Sequence, residues 1–228
     1  MTAAPGAGLV DGVWDVPGQD HAVEVLRRAV DRDEVAHAWA FIGPAGVGQE
    51  AATRWFAAAL NCGSFAPPCG ACDICRRCLR GAYPALSEFA PVGAAYRKAD
   101  VQEQWLRTAF RSLSEGRTKV LRISDADRMN ETAANTFLKG LEEPPPRTVW
   151  VLEITDPDEL PDTILSRCRV VRFAAWSAAA LTAEAQRQTW RTRPSVASRS
   201  ARRWGRRCRC AASPRPRAST ICVPTGRG

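Results

Sequence analysis

Residues 38–50, Ala-Trp-Ala-Phe-Ile-Gly-Pro-Ala-Gly-Val-Gly-Gln-Glu, constrain the fold more than any other stretch of this chain. An apolar run of strand length leads into spaced glycines and then into helix-forming residues. That order is the frame of a phosphate-binding loop, G-x-x-x-x-G-K-[ST]. Gly43, Gly46 and Gly48 keep the frame. Gln49 stands where Lys would reach the β/γ-phosphates, and Glu50 where Ser or Thr would hold Mg²⁺. A carboxylate there also opposes bound phosphate. The stretch predicts a nucleotide-binding architecture in a chain to which ATP is not expected to bind.

The rest of the chain supports that architecture by alternation. Asp20–Arg32 carries Val23, Leu26, Ala29 and Val30 on one helical face, and Ala51–Leu60 carries Ala52, Trp55, Phe56, Ala59 and Leu60. Ala85–Ala90 reads as a short strand. Asp100–Ser114 reads as a helix with Val101, Trp105, Ala109 and Leu113 at steps of four, ended by Gly116. Lys119–Ser124 is a strand running into Asp125. A helix from about Asn130 to Leu141 is stopped by Pro144, Pro145 and Pro146. Thr148–Ile154 is a strand, Asp158–Leu165 a short helical turn and Arg169–Phe173 a last strand. Near-continuous apolar strands alternating with amphipathic helices predict an α/β fold, five parallel strands covered on both faces. His37, before the first strand, has no nucleophile near it in sequence and reads as a packing residue.

Composition divides the chain. The net charge is +8, yet twelve of the 32 Lys and Arg residues lie after position 186, where no acidic residue follows. The first 186 residues hold the remaining 20 basic residues against all 24 acidic ones, so the expected folded part is mildly acidic. Overall pI therefore gives no case for nucleic-acid binding. The expected divisions are a disordered leader at 1–12, a core at 13–176, the start of a lid helix at 177–186 and an Arg-rich tail at 187–228. The tail reads either as a basic arm for nucleic acid or as an out-of-frame reading of a GC-rich gene. The leader lacks a basic segment followed by a long apolar one, and no apolar run spans a membrane. A cytoplasmic location with no membrane partner is expected.

Five of the nine cysteines fall in one segment: Cys62, Cys69, Cys72, Cys75 and Cys78. Such clustering argues for metal in a reducing compartment. Four thiolates make a closed structural zinc site. Three consecutive two-residue links around one ion leave little slack, which favours Cys62, Cys69, Cys72 and Cys75 as ligands, with Cys78 spare. An iron–sulfur cluster is the alternative, because C-x2-C-x2-C opens a ferredoxin motif. That motif continues x3-C-P, whereas Cys78 follows at x2 and Leu79 replaces proline.

Several of these stretches together resemble the bacterial clamp-loader ATPase family of DNA polymerase III, an AAA+ family, and most closely its delta-prime subunits. Pro17-Gly18-Gln19 resembles the family's early V-G-Q turn, and His37 to Gly48 its H-A-[YW]-L-F-x-G-P-x-G-x-G loop. The cysteine module after the loop helix is similar in position. Asn135 to Pro145 is close to the signature N-[AT]-[LF]-L-K-x-L-E-E-P-P, and Leu165-Ser166-Arg167-Cys168 matches the S-R-C motif. The likeness spans about Val13 to Phe173.

The resemblance implies a role in loading the sliding clamp onto primed DNA, with gamma/tau ATPase subunits, the delta subunit and primer–template DNA as partners. It implies that Asp125 is the Walker B Asp and that Ala126 replaces the water-activating Glu. With Gln49 and Glu50, these departures imply a subunit that is not an enzyme on its own. Arg167 is then an arginine finger reaching a neighbour's ATP, Thr155 a vestigial sensor and Lys139 a local ion-pairing or capping residue. One helix of the family's lid is expected, and no pattern for its helical collar follows. An active gamma/tau-type ATPase and a zinc-dependent nucleic-acid module are the competing readings.

Overall fold

The computed structural model describes residues 12–176 and 181–182. Nearly all of the expected leader, the lid helix and the Arg-rich tail lie outside the described residues. Unit 1 of the chain ends at Thr182, and every feature below belongs to it.

Five strands form one sheet: β1 (Ala38–Ile42), β2 (Leu86–Phe89), β3 (Lys119–Ile123), β4 (Thr148–Ile154) and β5 (Arg169–Arg172). All pairings are parallel and the order is β2-β3-β4-β1-β5. Helices α1 (Asp20–Asp31), α2 (Gln49–Asn61) and α3 (Asp73–Leu79) cover one face, and α5 (Glu131–Glu142) and α6 (Asp162–Leu165) cover the other. α4 (Arg107–Phe110) joins that second layer, preceded without a break by a π-helical stretch, Asp100–Leu106.

The apolar runs explain the two cores. Alternation sends Trp39, Phe41, Val120, Val149 and Val151 toward α1 and α2, into the core that holds Leu26, Phe56 and Ala57. It sends Ala38, Ala40, Leu121, Trp150 and Leu152 toward Trp105, Phe137 and Leu141. Strands buried on both faces need apolar residues at consecutive positions, and the sequence supplies them.

Two expectations are corrected. The helix expected over Asp100–Ser114 ends at Phe110, because Lys119 turns its ammonium onto the carbonyls of Thr108, Ala109 and Arg111 and closes the chain there. Leu113 consequently packs in the α2-side core, across the sheet from Trp105. Gly116, at φ 96°, makes a turn into β3 rather than ending a helix. The second correction is α3, which periodicity did not predict; Cys72 caps it by accepting the Cys75 N–H.

Candidate functional site

The glycine loop joins β1 to α2 at the carboxyl edge of the sheet, where ligands of open parallel sheets bind. A side chain at Gly43 would place its β-carbon 2.5 Å from the Phe173 carbonyl oxygen. Gly48 caps α2 at φ 116°, a conformation that other residues rarely adopt. Outside the loop, Gln19 donates to the Val47 carbonyl (3.0 Å) and exchanges two hydrogen bonds with the Ala174 backbone. Trp176 donates its indole N–H to the same Val47 carbonyl (2.7 Å). The loop is therefore tied to the chain on both sides of the core.

Gln49 and Glu50 are both engaged internally. Gln49 is 5% exposed, and its amide donates to the carbonyls of Pro44 (2.8 Å) and Gly43 (3.2 Å), inside its own loop. Glu50 pairs with Arg54 at 2.8 Å and with Arg122 at 3.3 Å. Arg122, near the end of β3, also binds both oxygens of Glu153 at 2.6 and 2.9 Å and lies 3.6 Å from Glu88. Arg54 binds Glu88 in the same two-pronged way.

Burial alone would loosen the proton on Arg122; the Glu153 carboxylate more than offsets this and the pKa rises. Burial pushes the Glu153 carboxyl above the usual carboxylate range against the pull of Arg122. The bond to Glu88 raises Arg54. Sequence reasoning missed Arg54, Glu88, Arg122 and Glu153. Arg122 and Glu153 did leave a signal, a charge inside K-V-L-R-I-S and T-V-W-V-L-E-I, both otherwise apolar toward their ends.

The remaining expected positions are scattered. Asp125 follows β3 at φ 48° and its carboxylate lies 3.5 Å from Arg128, not against Glu50. Strand alternation instead places Ser124 on the Arg122 side, where its hydroxyl donates to the Phe89 carbonyl. Ala126 is fully buried. Asp127 accepts the backbone N–H groups of Thr155 and Asp156, so the turn after β4 is pinned to the turn after β3. Lys139 is exposed in the last turn of α5. His37 accepts the backbone N–H of Trp150 through its carbonyl. Arg167 is exposed; its guanidinium donates to the Thr163 carbonyl (2.8 Å) and to Glu142 (3.1 Å).

The thiols make the second centre. The Sγ atoms of Cys62, Cys69, Cys72 and Cys75 all lie within 4.8 Å of one another. Three of their separations are 3.7, 3.9 and 3.9 Å. A tetrahedron of thiolates about 2.3 Å from one zinc has edges of about 3.8 Å, so the quartet fits a single structural zinc ion. A cluster of several irons puts inorganic atoms between its thiolates and would hold them further apart. Backbone N–H groups of Cys72 and Cys75 point at the sulfurs of Cys69 and Cys72. The Cys72 N–H, with that of Ala71, draws the Cys69 thiol down to about 6. Cys78 is outside the quartet; it is fully buried and burial pushes its thiol up to about 12.

A five-stranded parallel sheet, a glycine loop leading into α2 and a thiol quartet behind that helix define an AAA+-like core carrying a zinc module. The family described as "DNA polymerase III, delta subunit" matches residues 18–177, and the chain belongs to the DNA polymerase III clamp-loader family. DNA polymerase III subunit tau of Escherichia coli is 38% identical over 156 residues, 68% of this chain and 24% of that protein. Subunit delta' of Bacillus subtilis is 35% identical over 159 residues, 68% of this chain and 47% of that protein. The chain thus spans about a quarter of the tau relative and about half of the delta' relative. Thermotoga maritima RuvB, 14% identical with a TM-score of 0.51, shares the fold over 77% of this chain and 52% of its own. Among the described residues no helix is long and apolar enough to cross a membrane.

Proposed function

We propose that the chain acts as a non-hydrolysing, delta-prime-like subunit of the DNA polymerase III clamp loader. Its partners would be gamma/tau-type ATPase subunits and the delta subunit, acting on primer–template DNA. The observation that carries this reading is the occupied loop. Gln49 bonds its own loop carbonyls and Glu50 is held by two arginines, so neither offers a phosphate or a metal what Lys and Ser/Thr would offer. The protein contributes Arg167 to a neighbour's ATP, and at rest this guanidinium sits on Glu142 at the surface.

A gamma/tau-type ATPase is the second reading, favoured by the higher identity to tau (38%) than to delta' (35%). That identity is a figure over 156 residues, whereas hydrolysis depends on a few loop positions. Equilibrium dialysis of the zinc-loaded chain against Mg·ATP separates the two. No binding is expected, and tight binding would establish the ATPase reading instead. Arg167→Ala should leave the melting curve in place, since an exposed pair contributes ~0.2–1 kcal/mol. In the reconstituted complex it should cut turnover at the one site it serves, arginine fingers being worth ~10³–10⁵ in rate. Unchanged turnover there would remove the finger role.

A further inference from the structure

The five charged groups beneath the loop do more than fill space. Glu50 holds the position at which a phosphate-binding loop presents a hydroxyl to Mg²⁺. Its nearest partners are guanidinium groups, and the one reaching it from the sheet, Arg122, is also ligated by Glu153 and faces Glu88. Three carboxylates from α2, β2 and β4 thus surround a cation donated by β3. A hard divalent ion needs oxygen ligands and an open coordination position. Here the oxygens nearest that position are already turned to Arg122, whose side chain is 13% exposed and held by two short bonds to Glu153.

We infer that Arg122 is a built-in cation in place of the loop's metal ion, and that it bars Mg·nucleotide independently of the missing lysine. The inference rests on the non-hydrolysing reading above. Gln49 explains the loss of phosphate contact, while Arg122 explains why a metal would not enter even if the phosphates could. Bringing in Mg²⁺ would displace the guanidinium from Glu50, Glu88 and Glu153 together. The carboxylates then cannot serve both cations.

The test restores the loop in steps and reads binding of a fluorescent ATP analogue to the zinc-loaded full chain, with and without added Mg²⁺. Wild type and Gln49→Lys/Glu50→Thr should show no Mg²⁺-dependent binding. Adding Arg122→Leu to the double variant should tighten Mg²⁺-dependent binding at least about tenfold, or about 1.4 kcal/mol. Equal binding by the double and triple variants, with wild type silent, overturns the role of Arg122 and leaves the non-hydrolysing reading standing. Binding by wild type itself overturns that reading.

A second measurement does not depend on the rebuilt loop. The melting temperature of Arg122→Gln should rise with Mn²⁺ beyond the effect of NaCl at matched ionic strength, because the freed carboxylates accept the ion. Wild type should not respond. The same response in both proteins would also overturn the inference.

Discussion

Stripping the metal from the thiol quartet should detach residues 62–79 from α2 and leave the sheet standing. α3 is seven residues long, well below the ~12–15 residues at which helices hold themselves together in water. Its N-cap is the ligand Cys72, and its first buried residue is the ligand Cys75. The second core, around Trp105, Phe137 and Trp150, includes none of the quartet. What the ion contributes globally is therefore mainly a cross-link between Cys62, at the end of α2, and Cys75. By analogy with disulfides, closing a ~15-residue loop is worth about 3 kcal/mol. For a domain of this size each kcal/mol moves the midpoint by about 2–4 °C, so the metal-free protein should melt about 6–12 °C lower. A local reporter is available. Trp55 is 7% exposed, packs 3.4 Å from the β-carbon position of Gly70 and donates its indole N–H to the Asp15 carbonyl. Its emission should shift to the red before the global transition. The assay is metal analysis followed by calorimetry and tryptophan fluorescence before and after chelation, with Cys69→Ser reproducing the loss and Cys78→Ser retaining the zinc. Coincident melting of the two forms, an unmoved emission maximum or visible absorbance from iron would refute the reasoning.

Lys119→Met should cost about 1–3 kcal/mol in urea titration at neutral pH, because the carbonyls of Thr108, Ala109 and Arg111 lose their shared donor. Burial lowers the Lys119 pKa, so between the folded value and the unfolded ~10.4 the unfolded chain binds the extra proton. Wild-type stability should therefore rise relative to Lys119→Met as pH climbs through that window, and a falling difference would contradict the burial argument. Gly48→Ala combines φ 116° with a β-carbon 3.1 Å from Val16, whereas Gly46→Ala, at φ 78°, meets nothing within 4 Å. Both should destabilise the fold, Gly46→Ala by ~1–2 kcal/mol and Gly48→Ala by more; the reverse order in urea melts would show that the Val16 contact yields freely.

The sheet was legible because a strand covered on both faces must be apolar at consecutive positions, and β1, β3 and β4 show that pattern directly. The quartet was legible because ligand spacing is a local constraint. α3 was not, since its cap and its packing come from the thiols rather than from an apolar period. The overextended helix failed because a side chain outside it, Lys119 at the start of β3, decides where it ends. The ionic network needs four elements brought together, and only two of its five members stand out within apolar strands. Gln19 gave no sign at all of its bonds to Val47 and Ala174, which lie 28 and 155 positions away.

Overall identity and hydrolytic competence can part because they reside in different residues. The matches to tau and delta' extend over 156 and 159 residues, whereas the proposed closure of the phosphate site rests on three, Gln49, Glu50 and Arg122. The loop itself would still be retained under that loss. Gly43 lies against the Phe173 backbone, Val47 takes donors from Gln19 and Trp176, and Gln49 braces the turn from inside. It joins the segment before α1 to the segment after β5, and β5 follows directly on the turn that carries Arg167. On the proposed reading the loop keeps a structural task, because it anchors the chain at Phe173 and Trp176, just beyond β5. Selection on that anchoring would preserve the glycines while leaving Gln49 and Glu50 free of any duty toward phosphate.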